Sequence, residues 1–224
     1  MKIKITKLIG AGLSLLLLVA VIFIFAFHDR ILLKTAQFMA PVGDYRADVA
    51  ILEGHEVISR GIIKCGTDLL QSGRVKRMVI VLQNVSHGNT PYGISERYPD
   101  VVKNKLIKLG LEENDFKVVL VPVAHPITLT EAKVVLDILS KDNIKSALLL
   151  SSGFHTRRSY LIYQHIAEPL KIRIFPCAYF DEGDLKQHLD QEQGTRELVL
   201  EFLKLGYYLV KGYIPWKFSY PEVI

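Results

Sequence analysis

The chain reads as an α/β domain with a mainly parallel sheet of about five strands, preceded by one transmembrane helix. Three observations predict this. The N-terminal stretch carries a long charge-free run, the segments after it contain short stretches of continuous hydrophobicity, and helix-like segments separate those stretches in regular succession. Continuous rather than alternating apolar residues mark strands covered on both faces, and strand–helix–strand succession joins parallel neighbours.

Residues 8–27 form an uncharged run of about 20 residues, which at 1.5 Å per residue matches the roughly 30 Å hydrocarbon layer of a bilayer. The run ends Ile22-Phe-Ile-Phe-Ala-Phe27, with bulky side chains where a signal peptidase needs small ones. Residues 1–30 are therefore expected to remain as a cytoplasmic tip and anchor. Lys2, Lys4 and Lys7 precede the run, so the positive-inside tendency puts the N-terminus in the cytoplasm and the rest of the chain on the outer side of the cytoplasmic membrane.

Residues 31–46, which include Pro41-Val-Gly-Asp44, have the turn chemistry of a connector. The globular domain is expected over 47–212. Within it, 48–52, 78–82, 116–121, 146–151 and 171–176 are the predicted strands, and 59–71, 99–109, 128–141 and 156–165 the predicted helices. Residues 83–99 are polar and turn-rich, as either a mobile loop over the site or an ordinary surface connection would be. A last helix over 195–211 places Leu198, Phe202, Leu205 and Leu209 at helical spacing, a stripe suited to docking on the sheet. In the tail, 213–224, Tyr213, Trp216, Phe218 and Tyr220 stand near Lys211 and Lys217. Such a mixture favours a membrane interface; packing on the domain is the simpler alternative.

The net charge of +5 is concentrated at the N-terminus, where residues 1–34 hold five Lys or Arg and one Asp, leaving 23 basic against 22 acidic residues. A nearly neutral domain without a basic run lacks the concentrated positive face that nucleic acid requires. Cys65 and Cys177 are the only cysteines. They lack metal or redox spacing and lie in apolar segments, so free, buried thiols are expected, with a Cys65–Cys177 disulfide in an oxidising compartment as the alternative.

The chemistry is expected near Ala147-Leu-Leu-Leu-Ser-Ser-Gly-Phe-His155-Thr-Arg-Arg158. An apolar strand here passes through a small-residue turn into a helix start, and open parallel sheets bind ligands beyond the carboxyl ends of their strands. His155 has the titration range of a general acid or base and is the best catalytic candidate. Arg158, one turn later, offers a planar fork for phosphate or carboxylate. Thr128 and Glu131 have capping-box spacing at a helix start that faces the same crevice. Glu53, Gly54 and His55 follow the first strand, Arg60 begins the next helix, and Ser152 precedes His155. Glu53, His55 and His155 are metal-ligating types, but their scatter along the chain argues against a metal site. His125 reads as a loop residue, and Asp181, Glu182 and Asp184 as a solvated turn. No nucleophile elbow, phosphate loop, His-Glu-x-x-His or dinucleotide turn is present.

Asp48-Val-Ala-Ile-Leu52 with Gly54, Arg60, Leu69-Leu-Gln-Ser-Gly73-Arg, Thr128 to Ala132, and Leu149-Leu-Ser-Ser-Gly-Phe-His155-Thr-Arg-Arg158 together resemble the YdcF/SanA/ElyC family of bacterial proteins. The resemblance spans roughly residues 47–205, and the anchor matches the SanA-like branch. The sequence departs from the family pattern in three places: Glu53-Gly54-His55 replaces a glycine-rich turn, Gln83-Asn84 replaces a Ser-Gly-Gly-like turn, and Ile127-Thr-Leu-Thr-Glu131-Ala shifts the family's acid by one position. The resemblance implies a Rossmann-like, three-layer domain of the cell envelope that serves barrier function or polymer biogenesis. A small anionic or phosphate-bearing ligand is the expected partner, held by His155, Arg158, Ser152, Thr128 and Arg60. The alternatives are a non-catalytic interaction module with a degenerate pocket, and a nucleotide-binding domain facing the cytoplasm.

Overall fold

The structure is a computed structural model, and it describes residues 2–54, 58–84 and 98–216, apart from many side chains before residue 26. Its centre is a sheet of five parallel strands: β1 (Val49–Glu53), β2 (Arg77–Asn84), β3 (Phe116–Pro122), β4 (Ser146–Ser152) and β5 (Arg173–Tyr179). They lie in the order β3-β2-β1-β4-β5, an arrangement consistent with a Rossmann-like fold. The chain starts in the middle, builds outward to β3, then returns to place β4 beside β1. The order therefore reverses between β1 and β4.

The helices are α1 (Lys2–Met39), α2 (Arg60–Gln71), α3 (Tyr98–Lys108), α4 (Ile127–Lys141), α5 (His155–Ala167), α6 (Leu185–Leu189) and α7 (Glu192–Val210). A 3₁₀ turn, Glu113–Asp115, leads into β3. Alternation along each strand divides the core in two. Ala50, Leu52, Met78, Ile80, Leu148 and Leu150 face a cluster shared with α2 and α3. Val49, Ile51, Val79, Val81, Ala147 and Leu149 face a cluster shared with α4, α5, α7 and the end of α1. Gly66 lets α2 approach closely, since a Cβ there would lie 2.7 Å from Leu52 Cδ2 and 2.9 Å from Met78 Sδ.

Every predicted strand and helix of the domain forms, with ends moved by a few residues. The connector does not: α1 continues through residues 31–39, and Ala36, Met39 and Ala40 are buried in the core. Turn-forming residues begin only at Pro41, so nothing between 31 and 39 stops a helix whose inner face has a hydrophobic surface to cover. Arg157 secures this end of α1. Its Nε donates to Phe38 O at 2.6 Å, and its guanidinium lies 4.4 Å from the Phe38 ring centroid. Arg157→Ala is expected to cost about 1–3 kcal/mol, read as a lower thermal midpoint with the α1 end newly open to proteolysis. Among the described residues no helix is long and apolar enough to cross a membrane.

Two further readings change. Leu198 and Leu205 of α7 are buried and Leu209 packs at the core edge, but Phe202 is 51% exposed. The buried face of α7 is turned so that Glu201, three residues after Leu198 and four before Leu205, points inward. In the tail, Tyr213 packs edge-on against Tyr208 at 5.3 Å and Ile214 is buried, whereas Trp216 is exposed. Phe218 and Tyr220, like His55 and most of the 83–99 loop, lie outside the described residues. Cys65 and Cys177 are free and half-buried, with burial pushing both thiols upward in pKa.

Candidate functional site

The strand-order reversal brings the carboxyl ends of β1 and β4 side by side, the place where open parallel sheets receive ligands. The last β1–β4 pair is Leu52 with Leu150. One position further along stand Glu53 and Ser151, both buried and both on the α4/α5 side of the sheet. Ser152, the next residue, is exposed on the α2 side. Gly54 closes β1 by donating its N–H to Val81 O at 3.0 Å, and a Cβ at this position would lie 2.7 Å from that same oxygen.

The predicted site residues separate into three groups. In the first, Arg158 is at the centre and almost enclosed. Its Nε donates to Glu201 Oε2 at 3.0 Å, Nη1 to Thr128 Oγ1 at 3.2 Å, and Nη2 stands 2.8 Å from His155 Nδ1. The guanidinium also lies 4.9 Å from the Tyr208 ring centroid. His155 Nδ1 is 3.4 Å from Glu201 Oε2. A guanidinium has no lone pair, so the neutral imidazole accepts from Arg158, and a protonated one donates to Glu201 instead. Burial works to raise the Glu201 pKa, but His155 and Arg158 override it and hold the carboxyl well below the usual carboxylate range. The cationic fork expected to grip an anion is thus engaged from within by α7.

The second group is a pair of buried acids. Ser159 donates its hydroxyl to Glu53 Oε1, and Tyr163 donates to Glu131 Oε1 at 3.0 Å. Burial first, then the Glu53 charge, push the Glu131 pKa well above the ordinary carboxylate range, against the pull of the Tyr163 hydroxyl. Glu53 Oε2 and Ser151 Oγ are buried without a hydrogen-bond partner among the described residues. Burial beside a second carboxyl disfavours charge on Glu131, which therefore holds its proton more tightly than an exposed carboxyl does.

This second group corrects the capping-box reading. Helix α4 begins at Ile127 after Pro126, which offers no side-chain cap, and Thr128 lies inside the first turn. Thr128 therefore meets Arg158, and Glu131 is left to reach Tyr163. A capping box would need Thr128 one residue before the helix. The helix starts at Ile127 instead.

The third group lies across the sheet. Arg60 is exposed as the first residue of α2, and Ser59 caps that helix by accepting from Ile62 N at 3.2 Å. Ser59 Oγ is 3.4 Å from Tyr179 OH, and the Ser152 hydroxyl also bonds Tyr179. Asp181 abuts Gly61, where a Cβ would lie 2.3 Å from its Oδ1. Asp184 caps α6, accepting from Gln187 N at 2.9 Å. Among the described residues no group of three or more His, Cys, Asp or Glu is arranged to hold a metal ion.

Sequence reasoning missed Glu201, Tyr208, Ser159 and Tyr163. Glu201 carried a signal, being a lone acid on the Leu198–Leu205 stripe of an apolar helix. Ser159 and Tyr163 are four residues apart and so share a helix face, but only the packing of α5 between α4 and α7 shows that this face is closed. No family model matches the chain, and no curated protein or solved structure is significantly similar to it.

Proposed function

We propose that the protein is a single-pass, membrane-anchored member of the SanA-like group, displaying its α/β domain on the outer side of the cytoplasmic membrane. There it binds a small anionic or phosphate-bearing ligand in the β1/β4 crevice and serves envelope barrier function or polymer biogenesis. The observation that supports the binding reading is the exposure of Arg60 and Ser152 together at the strand-order reversal, beside the N-terminal ends of α2 and α5 with their positive helix-dipole ends. In this reading Arg60 supplies the charge that meets the ligand. Arg158, His155 and Thr128 organise the floor of the crevice, because their polar atoms are engaged with Glu201 and with one another.

The uncharged run at residues 8–27 supports the anchor. The test uses the full-length chain in detergent, titrated with inorganic phosphate and with a phosphomonoester while thermal unfolding is followed. Ligand present at 100 times its Kd stabilises by about 2.7 kcal/mol, so the midpoint should rise with concentration in the wild type. The Arg60→Ala variant should show most of that rise abolished with its unliganded midpoint unchanged. A wild type indifferent to both ligands, or an Arg60→Ala response equal to the wild type's, overturns the binding reading.

A further inference from the structure

Helix α7 is apolar on the side it buries and also on the side it exposes. Val199, Leu200, Phe202, Leu203, Tyr207 and Val210 are each between 45% and 76% exposed, and they cover one broad face at helical spacing. Exposed apolar surface of this extent on a single element marks an interaction site. Between Leu198 and Trp216 the charged residues are Glu201, Lys204 and Lys211. Glu201 is turned inward to Arg158, with its side chain 12% exposed, and its second oxygen meets Lys204 Nζ at 2.7 Å, so the outward charges along this face are Lys204, within that ion pair, and Lys211.

Two observations select the occupant. First, α7 packs beside α1, which exposes Phe23, Phe27 and Ile31 in the turns before its buried end, so both helices present apolar side chains outward. From Phe27 to Met39 the helix rises only about 18 Å at 1.5 Å per residue, which keeps the domain close to wherever the apolar run of α1 resides. Second, the fringe of the α7 face consists of Lys204, Lys211, Tyr207 and the exposed Trp216. Tyr, Trp and Lys around an apolar face suit the headgroup level of a bilayer with anionic lipid.

We infer that the outward face of α7 lies on the surface of the membrane that holds α1, so the domain rests on the lipid through a second element. This inference depends on the anchor reading. It sets the domain's orientation: the sheet is held through two helices and cannot swing freely about α1.

The test places an environment-sensitive fluorophore on Leu203→Cys of the full-length chain carrying Cys65→Ser and Cys177→Ser, reconstituted into nanodiscs of phosphatidylcholine with phosphatidylglycerol. Lys186→Cys on α6, exposed and outside the α7 face, is the control. The label at 203 should emit to the blue of the label at 186, be quenched by lipid-borne nitroxide, and be several-fold less accessible to iodide. Val199→Asp should reverse all three signals while leaving far-ultraviolet dichroism unchanged. Iodide accessibility at 203 equal to that at 186, in chains that remain in the nanodisc, overturns the docking and leaves the anchor standing. A chain that fails to enter nanodiscs overturns both. A blue shift that needs two copies per disc, together with a disulfide between copies when the unlabelled Leu203→Cys chain is oxidised in the same discs, assigns the face to a second copy and overturns the lipid assignment.

Discussion

Glu201→Ala should be the most destabilising of the single substitutions considered, costing about 3–5 kcal/mol, because it strands a buried guanidinium without its counter-ion. The Arg158 side chain is 8% exposed and Nε has Glu201 as its partner at 3.0 Å. With the carboxylate gone, Thr128 and the His155 ring remain, and neither carries negative charge. Thermal unfolding followed by circular dichroism should show a fall of roughly 2–4 °C for each kcal/mol lost. Glu201→Gln, which keeps the shape and can still accept, should lose less. The same group predicts acid lability. Its folded pKa is depressed, so the stability it contributes is complete above its ordinary value of about 4.5 and disappears as pH falls below that. Equal unfolding midpoints for wild type and Glu201→Ala at neutral pH would show that the network has little energetic weight.

The buried acid pair should act in the opposite direction. A carboxyl whose folded pKa is raised binds its proton more tightly folded than unfolded, so stability declines as pH rises from about 4.5 towards the folded value. Glu131→Gln replaces the proton-holding carboxyl with a permanently neutral group of the same shape that still accepts from Tyr163. It should match the wild type near pH 4.5 and exceed it at pH 8 by on the order of 1–3 kcal/mol, the cost of a buried polar group left poorly compensated. Urea midpoints measured across that range test this directly. Parallel pH profiles for the two proteins would mean that burial does not raise the Glu131 pKa.

The sheet was legible because strands covered on both sides have to be apolar throughout, and 49–52, 78–82 and 147–150 are. The same period-two logic explains why Glu53 and Ser151 point to one side and Ser152 to the other, a division that could have been read before any coordinates. What escaped was pairing at a distance. Thr128, His155 and Arg158 were recognised as residues of one neighbourhood, but Glu201 comes 43 residues after Arg158, and nothing local announces which charged side chain of a later helix turns inward. Phe202 was misplaced for the same reason, since a helix with apolar residues all round gives no unique stripe. The end of α1 was misread because its anchoring contact, Arg157 with Phe38, spans more than a hundred residues of sequence.

Helix α1 runs into the core with no break from Lys2 to Met39, so it transmits rotation as a shaft does. Adding or removing one residue between Phe27 and Ala36 would turn everything before it by about 100° relative to the sheet, with no hinge to absorb the twist. Length changes there should be tolerated only in steps that restore the angular phase, near 3 to 4 residues and again near 7. The number of residues in that segment is therefore a setting of azimuth as well as of height.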